Sequence, residues 1–295
     1  MTGDDFGFSK GVNHAIARAH AEGILTSASL MVTGAASEEA VRLARAHPRL
    51  AVGLHLVVVS GSCALPPSEI PHLVDDAGRF SDDPVRAGLR YQFRGTARAE
   101  LRREIREQLA RFRRTGLTLS HVDGHLHMHA HPVLLDILAE LAREFDIPAV
   151  RLPNDESRLM LAPGPGALRL VQSGIFALLR RSGGRKLRRH GVGYAERVYG
   201  LLATGRMTQE QLLRWIRGTD ADLVEIYCHP ALELEGEPLN GPPGSGPREL
   251  AALLSPRARS AVEEGGFTLA SCRGFAPGRG PSLEAASPAR AGAAP

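Results

Sequence analysis

The chain has 295 residues, 43% of them apolar, and a formal net charge of +4. This is enough apolar material for a large core, which excludes an intrinsically disordered chain, and the length suits a single (β/α) barrel of roughly 250 residues. Three cysteines without a C-x-x-C pair, no apolar run near ~20 residues, no signal-peptide pattern and 5% aromatic residues argue against a disulfide framework, a cysteine zinc site, a membrane span and nucleic-acid binding, and lead us to expect a soluble cytoplasmic protein.

Short β-branched runs alternate with amphipathic helices, the pattern of parallel βαβ units. A helix over 12–22 precedes a strand near 27–32, and a helix capped by Ser37 runs to Arg45 before Pro48. Leu50–Val59 reads as a buried strand, and 60–95, rich in Pro, Gly and Asp, as a long functional loop on the barrel rim. The helix over 97–114 carries Leu101, Ile105, Leu109 and Phe112 on one face. Leu117–Val122 is a strand, Pro132 opens a helix to about Phe145, and Ala149–Leu152 is another strand. An apolar and basic helix is expected around 166–181, with Leu168, Val171, Ile175, Phe176 and Leu179 as its apolar stripe. The basic cluster beside it suits either a solvated face or an anionic membrane surface. Thr208 and Gln211 form a capping box, Leu223–Cys228 is a strand, Arg248–Glu264 a late helix and Phe267–Ala270 a final strand. Residues 1–275 read as one catalytic barrel domain and 276–295 as a disordered tail. No strand is expected before Asp4, so the barrel is expected to lack its first strand and the coding start to lie upstream of Met1.

The most informative segment is His121-Val122-Asp123-Gly124-His125-Leu126-His127-Met128-His129-Ala130-His131. Each imidazole brings two nitrogens that need partners when buried, so packing alone does not call for such a run, and histidine is the commonest metal ligand. Asp4-Asp5, His55 and His125 all fall at strand ends, where parallel barrels place their active sites, and Cys228-His229 closes another strand. Asp5, His55 and His125 would supply one carboxylate and two imidazoles to a divalent ion, with Asp4 as general base and His229 as general acid. His127 and His129 are expected beside the ligands or against substrate, His131 at a helix start, and Arg151 orienting Asp4 or substrate unless it makes a structural ion pair. Taken singly, the Asp pair could be a helix cap and His55 a core histidine. A second arrangement, His121-x-Asp123 with a distant histidine, has the composition of an iron oxygenase site. A non-catalytic sugar- or lipid-binding barrel is a third reading.

Asp4-Asp5-Phe6-Gly7-Phe8-Ser9, Gly23–Ser29, Gly53-Leu54-His55, His121–His129 and Cys228-His229-Pro230-Ala231 resemble the YdjC/ChbG carbohydrate deacetylases. Gly53–Gly61, Pro66–Phe80 and Gly205–Thr208 are further similar to the hopanoid-biosynthesis-associated branch. The resemblance implies a modified TIM-like (β/α) barrel of the polysaccharide-deacetylase type that removes the N-acetyl group of an amino sugar. It implies one divalent metal ion, magnesium or zinc, at Asp5, His55 and His125, with Asp4 and His229 as the catalytic pair. The branch implies a sugar carried on a hopanoid lipid; a free chitobiose-like oligosaccharide is the alternative. Peripheral contact with the inner membrane and a homodimer are left open. Leu126 departs from the third consecutive histidine of many relatives.

Overall fold

The computed structural model describes residues 1–154, 159–160 and 167–271; the expected tail, and Leu168 of the apolar stripe, lie outside the described side chains. The elements run β1 (Thr2–Phe6), α1 (Lys10–Glu22), β2 (Ser27–Leu30), α2 (Ser37–Ala46), β3 (Ala51–Leu56), α3 (Pro84–Phe93), α4 (Gly95–Arg114), β4 (Leu119–Gly124), α5 (Pro132–Leu141), α6 (Ala167–Arg189), β5 (Arg197–Tyr199), α7 (Gln209–Gly218), β6 (Val224–Cys228), α8 (Ser245–Leu254) and α9 (Pro256–Glu264). The six strands form a curled parallel sheet in the order β4-β3-β2-β1-β6-β5. Its β4 edge is continued by isolated bridges, Val122 to Val150 and Ala149 to Gly193, so the barrel is approached without full closure. Ala149–Leu152, expected as a strand, contributes only these bridges.

The expectation of a missing first strand is corrected. β1 contains both aspartates and pairs with β2 and β6, with Thr2 opposite Ser27 and Tyr227. Direct pairing of β1 with β6 also leaves no vacant edge between them, which explains why Phe267–Ala270 has no strand structure. Two boundaries differ as well. Ser37 is the first residue of α2, behind an Ala36 cap without a side-chain hydrogen bond, and the late helix is two, broken at Ser255-Pro256.

The 60–95 segment is more ordered than a loop. Asp83 caps α3 by accepting from the Val85 and Arg86 N–H groups, and Pro84 takes the first turn, where a missing N–H costs nothing. α4 buries Leu101, Ile105, Leu109 and Phe112 as its periodicity predicts. It also buries Glu104 and Gln108, whose side chains fasten the rim: Glu104 accepts from the Ala64 and Leu65 N–H groups at 2.7 and 2.9 Å, and Gln108 clasps the Val57 peptide. Thr208 caps α7 by accepting from Gln211 N–H at 3.2 Å, so Thr208→Ala is expected to lower unfolding stability by about 1 kcal/mol, read from the urea midpoint. An unchanged midpoint would remove that cap from the account.

Candidate metal centre

The strands turn a strongly polar set of side chains into the sheet's concave interior. Thr2 and Asp4 on β1, Ser29 on β2, His55 on β3, His121 and Asp123 on β4, and Glu225 and Tyr227 on β6 are all buried. Strand alternation should send Asp4 and Asp5 to opposite faces. Instead the β1–β2 register shifts between Gly3 and Phe6, and Asp5 adopts a left-handed conformation at φ 63°. This irregularity aims both carboxylates at one cluster, at a backbone cost of order 1–3 kcal/mol for a residue with a Cβ.

At the mouth, Asp5 Oδ1 lies 3.1 Å from His125 Nδ1 and 3.3 Å from His55 Nε2. The three donor atoms lie within 4.8 Å of one another. Donors bound at about 2.0–2.2 Å to a common ion, at tetrahedral or octahedral angles, stand roughly 2.8–3.6 Å apart, so the Asp5 contacts suit a divalent cation. His55 Nδ1 donates to Asp123 Oδ1 at 2.8 Å, which leaves Nε2 as the ligating nitrogen and provides the outer support that metal-bound imidazoles require. Asn240 donates to the other oxygen of Asp5 at 3.3 Å.

Behind these residues sits Arg151, fully buried. Its guanidinium grips Asp4 through two bonds of 2.6 and 2.8 Å, Asp123 at 2.7 Å and Glu225 at 2.9 Å. Its face covers the Tyr227 ring at 4.5 Å. Among the described residues, three buried carboxylates, Asp4, Asp123 and Glu225, thus share this one guanidinium, and a fourth, Asp5, is buried nearby against His55 and His125. The field therefore demands further positive charge. Burial opposes protonation of His55, but the Asp123 charge and its hydrogen bond, then Asp5, push this imidazole up to about 10. For Asp5, burial alone would raise the carboxyl, yet bonding to His125 and His55 holds it well below the carboxylate range. A divalent ion would supply the charge this field attracts. Asp4, His55 and Asp123 form a second candidate group, but there Arg151 bridges the two aspartates and Asp123 occupies His55 Nδ1. The first group is the better candidate for a metal site.

After β4 the chain does not continue extended. His125–Ala130 forms a tight helical turn with Leu126 and His127 both left-handed, at φ 50° and 57°. The turn separates the histidines. His125 goes to Asp5, His127 Nε2 bonds the Tyr227 hydroxyl at 2.8 Å, and His129 Nε2 donates to the Arg151 carbonyl at 2.9 Å. His131 caps α5, accepting from Val133 N–H. Burial foremost, with His129 and Arg151 nearby, holds His127 well below its usual range, so it is a neutral polar contact. His229 stands beyond β6 with its ring edge-on to Tyr227, centroids 5.9 Å apart, and its backbone N–H donates to Glu249 at 2.6 Å.

The oxygenase arrangement is not assembled. Ser29 donates to Asp123, so it accepts from His121 Nε2, and Ser120 bonds Nδ1; His121 is used inside the sheet and joins neither candidate ligand group. Its ring fits because residue 53 is glycine: a Cβ there would stand 2.5 Å from the imidazole. Gly53→Ala is expected to displace the ring and cost about 1–3 kcal/mol through overpacking, measured by urea unfolding. Wild-type stability would show that the ring yields freely.

The YdjC-like protein family model matches residues 1–264 of this chain. The chain belongs to that family. Among YdjC-like relatives, a carbohydrate deacetylase of Brevibacillus brevis is 47% identical over 153 residues, covering 52% of this chain and 58% of the relative. One from Geobacillus stearothermophilus is 40% identical over 148 residues, covering 50% and 57%. The chain therefore spans somewhat more than half the length of the curated relatives it matches. A crystal structure of an Enterococcus faecalis protein named for cellobiose-phosphate cleavage superposes with a TM-score of 0.72 at 25% identity, covering 93% of this chain and 97% of that one. That likeness extends over nearly the whole chain.

The sequence places Asp123 only in the alternative oxygenase arrangement and does not point to Glu225, Tyr227 or Asn240. Glu225 and Tyr227 occupy alternate, inward positions on a predicted strand, and Asp123 alternates with His121 one residue past another, a signal that is available; Asn240 lies on a distant loop and gives none.

Proposed function

We propose that this protein is a metal-dependent hydrolase that removes the N-acetyl group of an amino sugar, with residues 1–275 acting as one catalytic unit. The observation that carries the reading is the Asp5–His55–His125 triad set beside an aspartate whose carboxylate is fixed by Arg151. The deacetylase names of the relatives point the same way.

Asp5, His55 and His125 would hold the ion, magnesium or zinc. When bound, such an ion supplies Lewis acidity toward the acetyl carbonyl and a lowered pKa for water. The remaining chemistry belongs to the chain. Asp4 accepts the proton of the attacking water, each oxygen keeping a lone pair beyond the one given to Arg151. Water oxygen bonds to the acetyl carbon, the carbon–nitrogen bond breaks, and His229 delivers a proton to the departing amine, giving acetate and a free amino sugar. Asp123 fixes the His55 tautomer, and Arg151 keeps Asp4 from rotating. His127 and Tyr227 form a polar wall for the sugar, and His129 braces the Arg151 backbone.

For the substrate we propose an N-acetylglucosaminyl hopanoid lipid, supported by the Gly53–Gly61, Pro66–Phe80 and Gly205–Thr208 likeness, with chitobiose-like oligosaccharides as the alternative. Acetate release should be compared on lipid-linked and free sugars. Faster turnover per enzyme of the lipid-linked sugar supports this assignment, and a preference for the oligosaccharide overturns it.

No described helix is long and apolar enough to cross a membrane.

A further inference from the structure

Large apolar side chains gather unburied on two helices that flank the histidine turn. On α3, Val85, Leu89 and Phe93 recur at four-residue spacing and are 69%, 55% and 77% exposed. On α6, Val171, Ile175 and Leu178 are likewise exposed, and Leu126, at the tip of the turn, is 49% exposed. Isolated exposed apolar residues are ordinary, but two helical stripes with a third element between them are not. Both helices pack against the histidine turn. α6 lays Phe176 against the His127 ring, with centroids 5.7 Å apart, and α3 approaches His131 and Met128 at Gly88. The stripes therefore lie on the two helices packed against the turn that carries His125 and His127.

The α6 stripe does not end where its apolar residues end. At helical spacing the same face continues through Ser182 to Arg185 and Arg189, both exposed, with Arg181 and Arg188 alongside. Arg86 on α3 and Arg94 just past its end are likewise exposed beside the apolar residues. Arg180, by contrast, is turned inward, donating to the Ala195 and Glu196 carbonyls, and Lys186 pairs with Asp136 of α5. Like charges one turn apart repel one another, so this face gains from an anionic partner and opposes a second copy presenting the same arginines.

We propose that the exposed faces of α3 and α6, with Leu126 between them, dock the protein on an anionic lipid surface and set the mouth of the metal centre against the headgroup layer. The apolar side chains enter the acyl boundary and the arginines meet lipid phosphates. A substrate sugar on a lipid anchor would then reach His125 and His127 without leaving the interface. The proposal takes the identity of the site from the deacetylase reading, while the surface argument stands on its own.

The test is co-sedimentation of the full, metal-loaded chain with vesicles of phosphatidylcholine alone or mixed with phosphatidylglycerol. The mixed vesicles should capture the protein, the neutral ones far less, and added salt should release it. Joint replacement of Arg181, Arg185 and Arg189 by Gln should weaken capture by roughly 100-fold at low salt. Joint Leu89→Gln and Phe93→Gln, or joint Ile175→Gln and Leu178→Gln, should each weaken it by roughly 10-fold or more. These variants should keep wild-type acetate release from a water-soluble N-acetylated sugar, showing an intact fold and site. Absence of capture, equal capture by the variants, or a dimer that dissociates in the apolar variants would overturn the proposal. Vesicle capture without acetate release from any sugar would instead overturn the deacetylase reading and leave the docking face standing.

Discussion

Asp4→Asn is expected to lower kcat for N-acetyl hydrolysis by roughly 10²–10⁴ while the metal site still fills. The amide keeps the carboxylate's shape but cannot accept the water proton at neutral pH. It also turns an NH₂ toward the Arg151 guanidinium in place of one of the 2.6 and 2.8 Å bonds, so a modest loss of unfolding stability should accompany the loss of rate. Arg151 keeps Asp123 and Glu225, which limits the damage to the network. Metal content by mass spectrometry and circular dichroism should match wild type. Retained turnover in a folded, metal-loaded variant would remove Asp4 from the role of base.

Arg151→Met should have the largest effect on stability. It leaves Asp4, Asp123 and Glu225 buried without their shared cation, and breaking a buried charge network from one side costs about 3–5 kcal/mol. The effect carries a pH signature. Burial alone would raise the Asp123 and Glu225 carboxyls, but Arg151 holds both below their ordinary values. A depressed carboxyl contributes stability that is fully present above its unfolded pKa, about 4, and is lost as pH falls through its folded value. The gap between wild type and variant in urea unfolding should therefore be widest near pH 7 and narrow below about pH 4. A gap under about 1 kcal/mol at pH 7, or one that widens in acid, would contradict the assigned network.

That Asp5, His55 and His125 come together was legible because all three sit at strand ends, and strand ends follow from hydrophobic runs. What composition and periodicity could not convey was how neighbouring residues share a site. Asp4 and Asp5 converge only through a left-handed Asp5 and a shifted register, and neither leaves a mark in a five-residue strand at the chain's start. Nothing in the histidine run announces the two successive left-handed residues that fold it back and distribute its imidazoles to Asp5, Tyr227 and Arg151. α3 was absorbed into a loop because the Pro, Gly and Asp around it outweighed the Asp83-Pro84 start. The split at Ser255-Pro256 was written plainly in the proline. The apolar stripe of α6 was visible, but its direction was not: Phe176 packs on the site while Val171 and Ile175 face outward, a division set by α5 and the histidine turn rather than by local sequence.

The most direct test of the central claim is acetate release from an N-acetylated amino sugar by the wild-type chain, first stripped with chelator and then titrated with magnesium or zinc. The account predicts no release from the stripped protein, and recovery in proportion to bound metal up to one equivalent, with none in His125→Ala. Full activity in the stripped, folded protein would contradict it.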